Sequence, residues 1–148
     1  GARMDGGDVL RFGDNFLVGH SKRTNRQGIE ELRNFLQKRD YGLHVVEVPP
    51  ESLHLISVCT SPVPGKLLAP EGWFSETDFP AGSEIIWVPN EEAYAANVLP
   101  FGNKVMMAKG YQSTFKILQS LDLEVHEMEM SQFREADGSL TCLSVLYD

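Results

Sequence analysis

Cys142 is the strongest candidate nucleophile in this sequence. It lies in the run GSLTCLSVL, where a small turn at Asp137 and Gly138 leads into apolar and β-branched residues. Because a thiol reacts as its thiolate, it needs a neighbour that lowers its pKa or accepts its proton. The run alone is more typical of a buried structural cysteine than of a nucleophile, so the rest of the chain must decide between the two.

Two other segments could supply partners for this thiol. Asp5 and Asp8 belong to the motif DGGD near the start of the chain, and His54 lies in the motif SLHL. An imidazole exchanges protons near neutral pH, and a carboxylate can orient it or accept hydrogen bonds from a cation. The alternatives are a core histidine on an apolar strand and a plain Asp-Gly turn.

Length, composition and charge limit the class of protein. A chain of 148 residues with 42% apolar and 23% charged residues is typical of one globular domain. A net charge of −8 argues against nucleic acid or an anionic membrane as the main partner. Two cysteines make neither a disulfide framework nor a cysteine-based zinc site, and this favours a cytoplasmic location.

The order of elements predicts a repeated ββαβ unit. Two short apolar runs on either side of Gly13 precede a helix that begins at a capping box of Thr24 and Gln27 and ends at Gly42, and a strand follows. The same order returns around Gly102, with a looser copy between. We expect one domain, 1–148, with modules over roughly 5–50, 51–90 and 91–130 and a closing strand over 139–146.

This arrangement predicts where the candidate residues lie. Repeated α/β units around an axis bring equivalent strand ends together. His54 is predicted within a strand over 54–59 and Cys142 within the closing strand, while Asn97 begins a strand over 97–99. Asp5 precedes the first strand. Convergence of Asp5, His54 and Cys142 near the axis is therefore an expectation.

Five motifs in order give a more specific indication. DGGDVL, FLVGHSKRTN, SLHL, EEAYAANVL and DGSLTCLSVLYD, at this spacing, resemble the dimethylarginine dimethylaminohydrolase family of the guanidine-modifying (pentein) superfamily. The resemblance runs the whole length of the chain and corresponds to the C-terminal portion of that family. It implies an α/β fold, a partial pentein-type propeller of about three modules plus a closing strand. An open propeller exposes strand edges, so we expect self-association or a missing N-terminal half.

The resemblance also implies a reaction. Cys142 would attack the guanidinium carbon of an N-methylated arginine, and the thiouronium intermediate would be hydrolysed to citrulline and dimethylamine. His54 would be the general acid and base. Asp5 would accept a hydrogen bond from the guanidinium or orient His54.

The remaining implied roles concern substrate binding. Arg23 would bind the substrate carboxylate, and the carbonyl of Ala136 would bind its amine. Asp8 would assist the site or only fix the DGGD turn, and Asn97 would be structural. Cys142, His54 and Asp5 could together chelate zinc, but the resemblance implies that such a metal inhibits, so neither a metal nor a cofactor is assigned.

Two other functions stay open at this point. One is another guanidine hydrolase, such as an arginine deiminase. The other is a non-catalytic half-length pentein or a fragment that needs a second chain. An intact set of Cys142, His54 and Asp5 favours catalysis, whereas carboxylates that clamp the guanidinium, which the family carries before DGGD, have no counterpart in the sequence.

Overall fold

The computed structural model describes residues 1–145 and contains nine strands in three sheets of three. The strands are β1 (Val9–Phe12), β2 (Asn15–His20), β3 (Gly42–Glu47), β4 (Thr60–Val63), β5 (Lys66–Pro70), β6 (Glu84–Val88), β7 (Leu99–Phe101), β8 (Lys104–Ala108) and β9 (Glu124–Met128). The helices are α1 (Arg26–Gln37), α2 (Gln112–Gln119) and α3 (Ser131–Glu135).

The three sheets share one topology. In each, two strands joined by a tight turn pair antiparallel, and a crossover brings the third strand parallel to the second. The tight turns of the first and third sheets place Gly13 at φ +60° and Gly102 at φ +62°, where glycine avoids the Cβ clash of other residues. The crossovers are α1 and α2, whereas the middle crossover has only a 3₁₀ turn, Glu76–Asp78. The predicted α/β fold of repeated ββαβ units is confirmed.

The middle sheet contributes to two hydrophobic cores. Leu67 and Leu68 are consecutive on β5 and both fully buried, and consecutive side chains of a strand point to opposite faces. Leu67 packs with Leu17 and Val46 of the first module, and Leu68 packs with Val105 and others of the third. Both faces of the middle sheet are therefore covered, and this fixes the three modules against one another.

Helix α1 begins one residue later than the capping box predicted. Asn25 is its N-cap and accepts a hydrogen bond from the backbone N–H of Gly28 at 2.9 Å. The Thr24 hydroxyl is turned inward to Asp8 instead, so it cannot cap the helix. Gly42, predicted to end the helix, is the first residue of β3, and Asp40 at φ +60° makes the left-handed turn before it.

Two predicted strands are wrong, and both carry candidate site residues. The segment expected as a strand over 54–59 contains a 3₁₀ turn, Leu55–Ser57, because the N–H of Leu55 bonds to the buried carboxylate of Asp8 rather than to a strand. The predicted closing strand over 139–146 instead contains a 3₁₀ turn, Thr141–Leu143. Residue 146 lies outside the described residues. Asn97, expected to begin a strand, lies two residues before β7.

Candidate active site

Asp5 and His54 lie side by side at the start of the first two modules. Asp5 Oδ2 lies 3.1 Å from Nε2 of His54, an ion-pair contact whose alignment falls short of a hydrogen bond. His54 is 8% exposed, and its Nε2 atom is fully buried, so the carboxylate is the polar group that faces this nitrogen. The predicted pairing of a carboxylate with an imidazole is therefore present in the structure.

The carboxylate of Asp5 is held in its charged form by its own turn. Oδ1 accepts a hydrogen bond from the backbone N–H of Gly7 at 3.2 Å, the main cause that lowers the pKa of Asp5. Burial opposes this shift, and the neighbouring His54 and Arg23 reinforce it. An anionic carboxylate thus faces the imidazole.

Gly7 is required for the position of the His54 ring. A Cβ atom at residue 7 would lie 2.7 Å from Cγ of His54 and 2.9 Å from its Nδ1, closer than real carbon contacts allow. The imidazole therefore packs flat against the backbone of the DGGD turn. The second glycine of this motif fixes the distance between the turn and the ring.

Asp8 lies in the protein interior, which supports the structural role that the sequence left open, while substrate binding by Asp8 stays a prediction. Its side chain is fully buried, and both oxygens accept hydrogen bonds from the protein. Oδ1 accepts from the N–H of Leu55 at 2.9 Å, and Oδ2 accepts from the hydroxyls of Ser21 and Thr24, each at 2.7 Å. This carboxylate thereby joins the DGGD turn to the segment that carries His54.

Cys142 is exposed on the 3₁₀ turn Thr141–Leu143. Its Sγ lies 3.2 Å from the hydroxyl oxygen of Ser139, which is almost fully buried. Sequence reasoning missed Ser139, because residues i and i+3 of a strand lie on opposite faces, whereas in a 3₁₀ turn they lie one above the other. A tight-turn interpretation of DGSLTC would have found it.

The segments of His54 and Cys142 face each other across two clefts. The larger, about 580 Å³, is lined by Ile56, two residues after His54, and by Thr141 and Ser144 beside Cys142. The smaller, about 360 Å³, is lined by Leu53 and Ser57 on one side and by Asp137 and Ser139 on the other. Within residues 1–145 no hydrogen bond joins Cys142 to His54 or Asp5, so the two segments line the same clefts without a direct hydrogen bond between the candidate reactive groups.

The two other predicted binding residues lie at the surface. Arg23 is about half exposed, and its Nη1 lies 3.6 Å from Asp5 Oδ2, the same oxygen that faces His54. Ala136 is exposed and ends α3. The loop after it is fixed by Tyr94, whose hydroxyl donates to the carbonyl of Gly138 at 2.7 Å.

Residues 1–145 show no arrangement of side chains or helices suited to a metal ion or to a membrane span. No three side chains of His, Cys, Asp or Glu come close enough together in this range to hold a metal ion. None of the helices described here has the length and apolar character needed to cross a bilayer.

The chain is similar in sequence to known proteins that, by name, act on arginine or its derivatives. The arginine deiminase family model matches residues 1–60. The chain is 32% identical over 144 residues to the dimethylarginine dimethylaminohydrolase of Pseudomonas aeruginosa, covering 97% of this chain and 56% of that protein. It is 35% identical over 150 residues to the enzyme of the same name from Streptomyces coelicolor, covering 98% of this chain and 56% of that protein.

A solved structure gives the same result. This is a cysteine-to-serine variant of the Pseudomonas aeruginosa dimethylarginine dimethylaminohydrolase in complex with citrulline, which superposes with a TM-score of 0.90 at 31% identity. The superposition covers 99% of this chain and 56% of that one. The chain thus spans about half the length of the curated relatives it matches, at 56% of each. In fold and in sequence, the chain is therefore similar to these dimethylarginine dimethylaminohydrolases over nearly all of its own length.

Proposed function

We propose that this protein is an amidinohydrolase that converts dimethylarginine and water to citrulline and dimethylamine. The observation that carries the proposal is the Asp5–His54 pair at 3.1 Å, together with an exposed Cys142. Ile56, two residues after His54, and Thr141, directly before Cys142, line one cleft. The likeness to the Pseudomonas aeruginosa and Streptomyces coelicolor enzymes supports the substrate class. The citrulline bound in the Pseudomonas aeruginosa structure supports the product.

The reaction has two halves in this proposal. The Cys142 thiolate attacks the guanidinium carbon, a C–S bond forms, and dimethylamine leaves with a proton from His54. Neutral His54 then takes a proton from water, the hydroxide attacks the thiouronium carbon, and the C–S bond breaks. Cys142 returns to the thiolate, and His54 keeps the proton that it took from water. The product first carries one extra proton, which passes to the released dimethylamine and gives citrulline and dimethylammonium.

The geometry around His54 supports its double role. Since Nε2 faces the anionic Asp5, Nδ1 is the nitrogen left to exchange protons with the leaving amine and with water. A carboxylate beside the ring stabilises the imidazolium that this chemistry forms. A cationic substrate next to Cys142 would in turn favour its thiolate.

Substrate binding is proposed for Arg23 and Ala136. Arg23 places a half-exposed guanidinium at the edge of the Asp5–His54 pair, where it can turn to a substrate carboxylate with two parallel hydrogen bonds. The exposed carbonyl of Ala136 at the end of α3 would accept a hydrogen bond from the substrate amine. For Asp8 the proposed role is to support the site, since its buried carboxylate holds the backbone of Leu55, next to His54.

A second candidate is an arginine deiminase reaction at the same residues. The match of residues 1–60 to the arginine deiminase model favours it, since this segment contains Asp5, Arg23 and His54. The two reactions differ in the amine that leaves. Parallel assays of arginine and dimethylarginine, with ammonium and dimethylamine measured separately, choose between them.

We also propose that further polypeptide completes the guanidinium pocket, as a second copy of this chain or a longer version of it. The chain spans 56% of the length of its curated relatives. The described residues bring one carboxylate, Asp5, against His54. Light scattering of the purified chain with and without substrate should detect self-association, and a strictly monomeric and active chain would contradict this part.

The cytoplasm is the proposed location, consistent with free thiols at Cys59 and Cys142.

The experiment that tests the function is a citrulline assay of the purified protein. Cys142→Ser should abolish turnover of dimethylarginine, and His54→Ala should reduce it at least about 100-fold. Cys59→Ala removes the other, fully buried thiol and should retain turnover within about threefold if the protein stays folded. Unchanged turnover in Cys142→Ser, or an inactive parent that also fails to react with a guanidinium-like probe, would refute the proposal.

A further inference from the structure

Asn97 bridges the two segments that carry the candidate acid–base and nucleophile. Its side-chain amide Nδ2 donates to the backbone carbonyl of Ile56 at 2.6 Å and to the hydroxyl of Thr141 at 2.8 Å. Its Oδ1 accepts from the backbone N–H of Thr141 at 3.2 Å. One side chain thus contacts the residue two positions after His54 and the residue immediately before Cys142.

The amide is buried, and its hydrogen-bonding capacity is almost fully used. Asn97 is 1% exposed, and both of its polar atoms are engaged in the bonds to the two segments. A buried amide that loses such partners leaves polar groups on several elements unsatisfied. Breaking these hydrogen bonds is therefore unfavourable in free energy, and they tie the two segments to one side chain.

The backbone around Asn97 is itself fixed. The hydroxyl of Thr60, on β4, donates to the carbonyl of Ala96 at 2.6 Å and accepts from the N–H of Val98 at 3.3 Å. These groups belong to the residues on either side of Asn97. The amide is thus presented from a rigid point at the junction of the second and third modules.

We propose that Asn97 is a positioning residue that sets the distance between His54 and Cys142. The effect on catalysis rests on the proposed function, whereas the bridge between the two segments rests on the hydrogen bonds alone. The 3₁₀ turns on which these segments lie have few backbone bonds of their own, Ser57 N–H to the His54 carbonyl and Cys142 N–H to the Ser139 carbonyl among them. A tertiary bond is needed to hold each of them in place.

The test measures the reactivity of Cys142 with two probes, cationic chloroacetamidine and neutral iodoacetamide. Chloroacetamidine resembles a guanidinium and needs the assembled site, whereas iodoacetamide needs only an accessible thiol. In Asn97→Leu, labelling of Cys142 by chloroacetamidine should slow about 10- to 100-fold, because displacement of about 1 Å suffices for such a loss. Labelling by iodoacetamide should change less than about threefold.

Thr114→Val is the matched control. Thr114 is fully buried and donates to Glu92 from its hydroxyl at 2.7 Å, in the same module but away from both segments. This variant also loses a buried hydrogen bond, and it should keep both labelling rates within about twofold. If Thr114→Val slows chloroacetamidine as much as Asn97→Leu does, the effect is one of general stability and the proposal is overturned.

Hydrogen exchange provides a readout that does not depend on catalysis. In Asn97→Leu the amides of 54–57 and 139–145 should exchange faster, Thr141 most of all, whereas in Thr114→Val they should not. If the parent shows no preference for chloroacetamidine, the proposed function fails, yet faster exchange in both segments still supports the bridge. Unchanged exchange refutes the bridge whatever the labelling shows.

If the Asn97→Leu variant does not fold, Asn97→Asp takes its place in the hydrogen-exchange experiment. The carboxylate can still accept from the N–H and hydroxyl of Thr141 but cannot donate to the carbonyl of Ile56. Exchange should then rise in 54–57 and stay near the parent rate in 139–145. Equal changes in both segments would overturn the assignment of separate bonds to each.

Discussion

The carboxylate of Asp8 accepts a hydrogen bond from the backbone N–H of Leu55, 47 residues further along the chain, at 2.9 Å. Because of this bond, the segment that was predicted as a strand forms the 3₁₀ turn Leu55–Ser57 directly after His54. The bond also links the first module to the second through a fully buried side chain. The segment that carries His54 is therefore held by a buried side chain of another module.

Removal of this carboxylate should destabilise the protein and impair the site. In Asp8→Ala the N–H of Leu55 and the hydroxyls of Ser21 and Thr24 lose their acceptor, and we expect a loss of about 2–4 kcal/mol in the free energy of unfolding. Urea unfolding followed by circular dichroism measures it. The control is Asp14→Ala at an exposed turn, which should change stability by less than about 0.5 kcal/mol. Equal effects of the two variants would contradict the structural role of Asp8.

Substitution of Gly7 should affect His54 specifically. In Gly7→Ala the new methyl group would lie 2.7 Å from the ring, so the imidazole must move, and turnover should fall about tenfold or more. Nuclear magnetic resonance of the His54 ring protons should report the displacement directly. Gly6→Ala is the matched control, since its added carbon meets no atom within 4 Å, and it should leave the ring signals in place. Parent-like ring signals in Gly7→Ala would refute the steric argument.

The two cysteines should differ strongly in reactivity. Complete burial raises the pKa of Cys59 to about 12, so almost none of it is thiolate at neutral or mildly alkaline pH. Iodoacetamide should therefore modify Cys142 in the folded protein and modify Cys59 only after denaturation. Peptide mapping by mass spectrometry distinguishes the two. Labelling of Cys59 under native conditions would indicate that the second module opens readily.

The lowered pKa of Asp5 predicts a specific dependence of stability on pH. A carboxyl group with a lower pKa in the folded state than its ordinary value of about 3.9 favours folding when it is charged. Its contribution is complete above that ordinary value and is lost as the pH falls through the lowered folded value. The stability difference between the parent and Asp5→Asn should therefore shrink as the pH falls from about 5 to about 2.

Unfolding curves across this range measure that difference. Asp14→Asn, at an exposed turn, is the control and should show no such trend. The effect at Asp5 should be modest, since its side chain is 37% exposed to water. A difference that grows towards low pH would contradict the assigned direction.

Local sequence patterns determined most of the secondary structure and the repeat. Glycines in the tight turns, the short apolar runs on either side of them and the capping pattern before α1 are short-range signals, and they predicted this order of elements. The residue types of Asp5, His54 and Cys142, with the motifs around them, indicated the resemblance to the dimethylarginine dimethylaminohydrolases, to which the chain is 32% and 35% identical. These features depend on neighbours in the chain, which the sequence displays directly.

The tertiary structure alone decided how the site is assembled. Asp8 reaches Leu55 across 47 residues, and Asn97 reaches Thr141 across 44, and each bond replaces a strand interaction that the local pattern favoured. A hydrogen bond between distant residues leaves no periodic trace in the sequence, because its partners are set by the docking of modules. Where strands were predicted, the docked modules have a 3₁₀ turn directly after His54 and another that contains Cys142. The second turn also brings Ser139 next to the thiol.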